Sequence, residues 1–417
     1  MLNQLIFASI VATGAVFPAA MPAQPVRADA LSAAAYREDF DAAWMFVREA
    51  YAYFNLKQTD WDLVRALYRQ RAAGVQSKQE FVAVLEEVME ELYDPHAHLG
   101  INTASSPRLV PSGSDLWAEW RDGRAILTEV RAGSEAERVG LRQGMEIVSI
   151  QGQPVLELVR ERLPKSLRAP DPAADDWALR AELAGRHAAA LKITARAGNH
   201  EEMFEFRPGL TNRPGVPLTA TILEKDIGYV RIHDTLSDTA LIAAWDEALV
   251  KLRSTRALVL DLRDTPSGGN TTVARALMGR LISEEQPYQR HELPAEEYRY
   301  GVRRIWVEYV APRGPFHYDR PVVVLVGRWT GSMGEGITIG LDAMQRATTI
   351  GGPMARLLGA THSTTLPHTG IVVRVPAERL YHIRGAPRES FVPSVAVESV
   401  GLAEDAALMA ALQLLRR

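Results

Sequence analysis

The spacing of hydrophobic residues changes along this chain, and each change marks a different kind of element. Between Tyr36 and Leu92 the period is helical. Phe40, Trp44, Val47 and Tyr51 share one face, a second segment begins near Asp60-Trp61, and a third runs through Phe81, Val84, Leu85, Val88, Met89 and Leu92. Ser77-Lys78-Gln79-Glu80 opens that third segment as a capping box. The stretch predicts short amphipathic helices with Trp and Leu on their inner faces, a small bundle over 31–100. From about Pro107 the spacing shortens to that of strands, with Arg124–Val130, then Leu191–Thr194 and Phe204–Phe206 as closing strands of a unit over 107–208. A polar, Ala-rich segment, Leu156–Ala190, interrupts that series as an insertion, and Arg168-Ala169-Pro170-Asp171-Pro172 within it reads as a loop. Beyond a linker at Pro208–Pro217, continuous β-branched runs alternate with helical spacing: Ile227–Ile232, Leu241–Leu252, Ala257–Arg263 and Val322–Val326. Runs of this kind read as strands buried on both faces, which makes 218–417 an α/β core.

One turn of that core carries chemistry. After Val322–Val326 come Gly327-Arg328-Trp329-Thr330-Gly331-Ser332-Met333-Gly334-Glu335, and then Ile337, Leu341 and Met344 at helical spacing. Ser332 therefore sits between strand and helix, with its hydroxyl exposed and the next N–H groups, beginning with that of Met333, unpaired at a helix start. This is the layout of a nucleophile elbow with half an oxyanion hole. A Ser in this place also commonly does no more than cap its helix.

Composition narrows the chemistry. The chain has 417 residues, 24% charged and 47% hydrophobic, with a net charge of −4 and no Cys. A thiol nucleophile, disulfides and thiolate metal sites are excluded, and hydroxyl, carboxylate and imidazole chemistry is left. Without a basic footprint, nucleic acid is not expected as a partner. At the N-terminus the apolar stretch Leu5–Val16, Pro18 and Ala28-Asp29-Ala30 predict a signal peptide over 1–30, cleaved after Ala30. The apolar run is too short to span a bilayer, so a secreted or periplasmic mature chain with no stable membrane span is expected. A disordered or membrane-anchored tail is the other reading, because the first residues carry no Lys or Arg.

Thr330-Gly331-Ser332-Met333-Gly334-Glu335 resembles the nucleophile motif of the carboxy-terminal-processing and tricorn-type serine peptidases, Thr-x-Ser-x-x-Glu after a buried strand. Three further segments resemble the same family in the same order. Leu92-Tyr93-Asp94-Pro95-His96-Ala97-His98 is similar to its Leu-x-Asp-x-His-Thr segment, which implies His96 as general base, with His98 the fallback and Ala97 in place of Thr. Ala132-Gly133-Ser134 through Ile150-Gln151-Gly152 is similar to a PDZ domain of the bacterial protease type. Such a domain captures an extended peptide as an added strand, and Leu116 and Trp117 are the residues expected to line that groove, with Trp117 and Trp120 equally readable as core. Asp261-Leu262-Arg263-Asp264-Thr265-Pro266-Ser267-Gly268-Gly269 resembles the family's Asp-x-Arg-x-Asn-x-Gly-Gly turn, with Thr265 for Asn and one extra residue. The resemblance gives Gly268 or Gly269 the second oxyanion N–H, since no Cβ blocks close approach. Asp261 and Arg263 are read as braces of that turn.

The family uses either a Ser/Lys dyad or a Ser/His pair oriented by Glu. The dyad Lys follows the nucleophile, and the last Lys here is Lys251, so the dyad is excluded. Arg388-Glu389-Ser390-Phe391-Val392-Pro393-Ser394 resembles the segment in which a Glu precedes Pro-Asp, which implies Glu389 as the carboxylate that orients the base; Asp94 is the runner-up. His-x-His beside Asp94 also has the form of a metal pair, but no third ligand can be named, so neither metal nor cofactor is expected. The resemblance implies a crotonase-like α/β core, an N-terminal helical bundle, an inserted PDZ domain, and a peptidase acting on peptides or proteins. Two rivals remain, a peptide-binding protein on a degenerate scaffold and a serine hydrolase of non-peptide esters.

Overall fold

Ser32, Asp60 and Ser77 each accept a hydrogen bond from the N–H three residues on, and so start the helices Ala33–Ala50, Trp61–Gly74 and Lys78–Glu90. The computed structural model describes residues 31–209, 215–397 and 405–416. The expected signal peptide, 1–30, lies outside the described residues, as do parts of the 208–217 linker. Phe40, Trp44, Val47, Val64, Tyr68, Phe81 and Leu85 meet inside the bundle, and the Trp44 and Trp61 indoles exchange hydrogen bonds with each other's carbonyls at 2.8 and 3.0 Å. The same core takes in Leu99, Ile371, Val373 and Val375. The bundle is thus packed onto the strand Val372–Tyr381, and the short strand His98–Leu99 pairs antiparallel with that strand at Arg374 and Val373.

The central sheet runs in the order Val395–Ala396, Ala347–Gly351, Val322–Val326, Ala257–Asp261, Ile227–Ile232, Leu218–Leu223, parallel throughout except for the last pair. Ala257–Asp261 and Val322–Val326 are buried at every position. Their residues alternate between two apolar clusters. Leu258, Leu260, Val322 and Val324 pack with Trp245, Leu277 and Ile337, whereas Val259, Val323 and Leu325 pack with Ala411 and Leu412 of the helix Ala406–Leu415. Helices on both faces are why the sequence reads as an unbroken hydrophobic run. Parallel pairing also puts the loops after Asp261 and Val326 at the same edge, the carboxyl end of the strands, where open α/β sheets place ligands.

The segment with PDZ-like sequence folds as a second sheet, Leu116–Arg121, Arg124–Val130, Glu146–Ile150, Leu191–Ala197 and His200–Phe206, with Gln153–Pro154 alongside the third of these. Two expectations are corrected here. Leu156–Ala190 is not an insertion into this unit. It contains most of the helix Val155–Arg162 and all of Pro172–Ala184, whose Val159, Ala178, Leu179 and Leu183 complete the unit's core. The Ala-rich composition reflects close helix–sheet packing, and Asp171-Pro172 is a helix start with an Asp cap. Leu116 and Trp117 do not line an open groove. Leu116 is fully buried in the core, and Trp117 packs with Val110, Ala184 and Trp329 between the guanidinium groups of Arg180 and Arg328.

That packing docks the unit onto the core. Arg328 donates to Glu119 at 2.8 Å and Glu129 at 3.1 Å, Trp329 donates its indole N–H to Ser114 O at 2.8 Å, and Arg131 pairs with Asp264. No helix among the described residues is long and apolar enough to cross a membrane. Arg328→Ala leaves Glu119 and Glu129 facing each other without their cation, so thermal unfolding should show Tm lower by several degrees. An unchanged Tm would mean the docking does not depend on Arg328.

Candidate active site

Ser332 has φ 49° and ψ −108°, a conformation that costs a non-glycine residue about 1–3 kcal/mol and persists only where its surroundings over-determine it. They do so here. The Ser332 N–H donates to Glu335 Oε2 at 2.8 Å, and its carbonyl accepts from Gly336 N–H at 3.0 Å and from Arg388 Nη1 at 3.3 Å. Glu335 is fully buried and also accepts from the N–H groups of Arg356 and Leu357, at 2.9 and 3.2 Å. Burial pushes its carboxyl up to about 7, against the pull of Arg388 and these N–H donors. Glu335 is a brace of the turn. Gly331 has to be glycine, since a Cβ there would lie 2.5 Å from Pro266 O.

The glycine turn lies directly against Ser332. Gly268, at φ 65°, presents its Cα hydrogens to Ser332: a Cβ would fall 2.4 Å from Ser332 Cβ and 3.0 Å from both Ser332 Oγ and Met333 N. Gly269 faces the other way, where a Cβ would fall 2.1 Å from the Leu236 backbone. Gly268 N–H closes its own turn to Thr265 O at 3.2 Å, and Met333 N–H stands at the first helical position, without an intrahelical acceptor. Asp234 holds the turn from outside through Ser267 N–H and Oγ, at 2.8 and 2.7 Å. Thr265, in the place of Asn, bonds Leu262 O at 2.8 Å and pairs with Thr330, which ties the two loops together. Asp261 takes Arg263 through three hydrogen bonds and Tyr229 through one, away from the nucleophile.

His96 follows a tight bend closed by Ala97 N–H to Asp94 O at 3.0 Å. Its Nδ1 lies 2.7 Å from Leu358 O. A carbonyl can only accept, so Nδ1 carries the proton and Nε2 is left with the lone pair of a base. Burial lowers the ring's pKa to about 3, the Leu358 hydrogen bond opposes this, and Arg388 and His98 push it down further. Asp94 is buried and accepts from Tyr51 OH at 2.8 Å and from His96 N–H at 2.9 Å; it shapes the bend and does not bond the ring. His98 diverges from His96. Its Nδ1 lies 2.9 Å from Leu99 O, and it lines a cleft with Glu86, Glu90, Arg162 and Trp177.

Glu389 stands in the short turn Arg388–Ser390, with burial raising its carboxyl above the usual range. Its Oε2 is buried and makes no hydrogen bond among the described residues. The nitrogen of His96 that an orienting carboxylate would take is held by Leu358 O. Arg388, which sequence reasoning passed over, instead bonds Ser332, Leu357 and Gly359, the last two at 2.8 Å. Only its position beside Glu389 could have drawn notice to it, and a backbone carbonyl such as that of Leu358 leaves no mark in a sequence. No group of three or more His, Cys, Asp or Glu among the described residues is arranged to hold a metal ion.

Residues 226–392 match peptidase family S41, and residues 32–90 match the tricorn protease C1 domain. A chloroplastic C-terminal processing peptidase of Tetradesmus obliquus is 25% identical over 349 residues, covering 80% of this chain and 69% of that protein. A carboxyl-terminal-processing protease of Synechocystis sp. is 22% identical over 318 residues, 74% of this chain and 68% of that protein. In three dimensions, the photosystem II D1 C-terminal processing protease superposes with a TM-score of 0.55 over 87% of this chain and 93% of that one, at 18% identity, a likeness of fold. The chain belongs to the S41 peptidases, the carboxy-terminal-processing and tricorn-type family, and is a serine-type peptidase.

Proposed function

We propose that this peptidase cleaves peptide bonds by attack of Ser332 Oγ, with His96 as general base. The conformation of Ser332 carries the reading: a strained residue on a strand-to-helix turn, with Gly268 packed on its side chain and Met333 N–H beside it. Ser332 Oγ adds to the scissile carbonyl carbon as its proton passes to His96 Nε2, and Met333 N–H receives the developing oxyanion at the Gly268–Gly269 turn. His96 then gives that proton to the leaving amine, the C–N bond breaks, and water attacks the acyl-enzyme with His96 again taking the proton. Glu389 does not touch the ring, and burial raises its carboxyl, which favours the neutral acid.

The sheet unit of 107–208 is read as the PDZ domain that brings the peptide in. What supports this reading is the PDZ-like sequence of 132–152 on a sheet whose first strand, Leu116–Arg121, lies at an edge. With the expected signal peptide removed after Ala30, the mature enzyme works outside the cytoplasm on peptide or protein substrates.

A fluorophosphonate probe should label Ser332, found by peptide mapping, and Ser332→Ala and His96→Ala should both abolish peptide turnover. A probe on another Ser would remove the assignment, and turnover of esters alone would make the enzyme an esterase. Ser332→Gly should be inactive yet about 1 kcal/mol more stable than wild type, because glycine relieves the strain; denaturant unfolding that shows a loss instead would mean the turn is relaxed.

An ordinary imidazole base loses activity as pH falls through about 6.5. His96, pushed to about 3 by burial, stays neutral well below that, so the acid limb of kcat/KM should lie below about pH 5. A limb at ordinary imidazole pH would place the base elsewhere. Glu389→Gln should leave kcat within about threefold and KM unchanged, since it removes no contact to the ring. Loss as complete as in Ser332→Ala would show that Glu389 bonds His96 during turnover.

A further inference from the structure

Arg388 has a side chain only 1% exposed, and its nearest carboxylate oxygen, Glu335 Oε2, is 3.9 Å away. A buried guanidinium normally pairs with a carboxylate in a bidentate fork. Arg388 spends its donors on backbone carbonyls instead: Nη1 on Ser332 O at 3.3 Å, and Nη2 on Leu357 O and Gly359 O, both at 2.8 Å. Its Nε has no acceptor among the described residues.

The choice of carbonyls matters. Leu357 and Gly359 flank Leu358, so gripping both carbonyls fixes the backbone on either side of Leu358 O, which meets His96 Nδ1 at 2.7 Å. On the N–H side Leu357 is held by Glu335, the carboxylate that also holds Ser332 N–H. Arg388 and Glu335 thus bind the same two segments, one through carbonyls and the other through N–H groups.

We propose that Arg388 is a positioning residue of this active site, a clamp that fixes the Leu358 carbonyl as the orienting partner of His96 and ties that carbonyl to the backbone of Ser332. The inference rests on the reading of Ser332 and His96 as nucleophile and base. It assigns to a cation acting through a backbone carbonyl the orienting work that a carboxylate performs in a Ser-His-Asp triad. Its charge also disfavours the imidazolium, second to burial, so the ring stays neutral until attack.

The test uses the full chain and Arg388→Ala and Arg388→Lys, each first checked for fold by circular dichroism and Tm. Arg388→Ala should lose about 100-fold in kcat with KM within roughly threefold, as expected when reacting groups are misplaced and binding is left intact. Guanidinium at tens of millimolar should restore part of that rate, whereas potassium at equal ionic strength should not. With the cation gone, the acid limb of kcat/KM should move up, and guanidinium should bring it back down. Arg388→Lys keeps the charge without the fork, so its limb should stay in place while kcat falls; it decides the matter if the Ala variant does not fold. Full activity in either folded variant overturns the proposal. So does a loss that guanidinium does not restore and that leaves the limb unmoved, which is the mark of a merely structural role. His96→Ala separates the two readings: if it stays active, the assignment of the base has failed; if it is dead while Arg388→Ala is fully active, only the clamp has.

Discussion

The carboxylate of Glu335 accepts the N–H groups of Ser332, Arg356 and Leu357, joining the proposed nucleophile to a segment more than twenty residues further along the chain. Without this, nothing on the N–H side opposes relaxation of Ser332 from φ 49° toward ordinary backbone, and its hydroxyl would leave the face where Gly268 and Met333 wait. The strain and the burial of an acid are both costs, and the same hydrogen bonds offset them. The 356–359 stretch so anchored then offers Leu358 O to the base. Ser332 and His96, the proposed nucleophile and base, lie far apart in sequence and are related through this short piece of backbone.

The sheet makes the arrangement possible. Because Ala257–Asp261 and Val322–Val326 run parallel and in register, the loops that leave them emerge side by side, and Thr265 pairs directly with Thr330. The bundle brings His96 to the same place by a different route. It shares a core with the strand Val372–Tyr381, and buried Asp39 accepts the N–H groups of His368 and Thr369 just before that strand. The bundle is therefore part of the frame that locates the base, because the bend carrying His96 runs straight from its last helix into the strand paired with Val373 and Arg374.

What could be read from the residues alone follows the range of the interactions involved. The two β-branched runs, the helix starts at Asp60 and Ser77 and the turn at Ser332 are set by local pattern, and they lie where that pattern puts them. The helix Pro172–Ala184 looked like an insertion because its inner face is Ala, which carries little hydrophobic signal although it packs closely against a sheet. Trp117 looked like a groove residue because an aromatic at a sheet edge fits that description, whereas the presence of Trp329 against it depends on residues over two hundred positions away. Arg388 is the extreme case. Its partners are main-chain carbonyls, and those are the same whatever the side chains around them.

Acid and base in this site also respond to pH with opposite signs, and this sets where the fold is comfortable. His96 has a folded pKa lowered to about 3 by burial, so the unfolded chain binds the extra proton; its contribution to stability is full above about 6.5 and is lost as pH falls toward 3. Glu335 is raised to about 7 by burial, so the folded chain holds the extra proton; its contribution is full below the ordinary Glu range and is lost as pH rises through 7. Between the two ordinary values the slopes oppose each other, and the site as a unit is less sensitive to pH than either group. The two groups are linked physically as well as in sign, since Arg388 lies beside both and favours the charged form of one and the neutral form of the other. A single buried cation thus holds the brace toward its carboxylate and His96 toward its lone pair, the two states that the proposed attack by Ser332 requires.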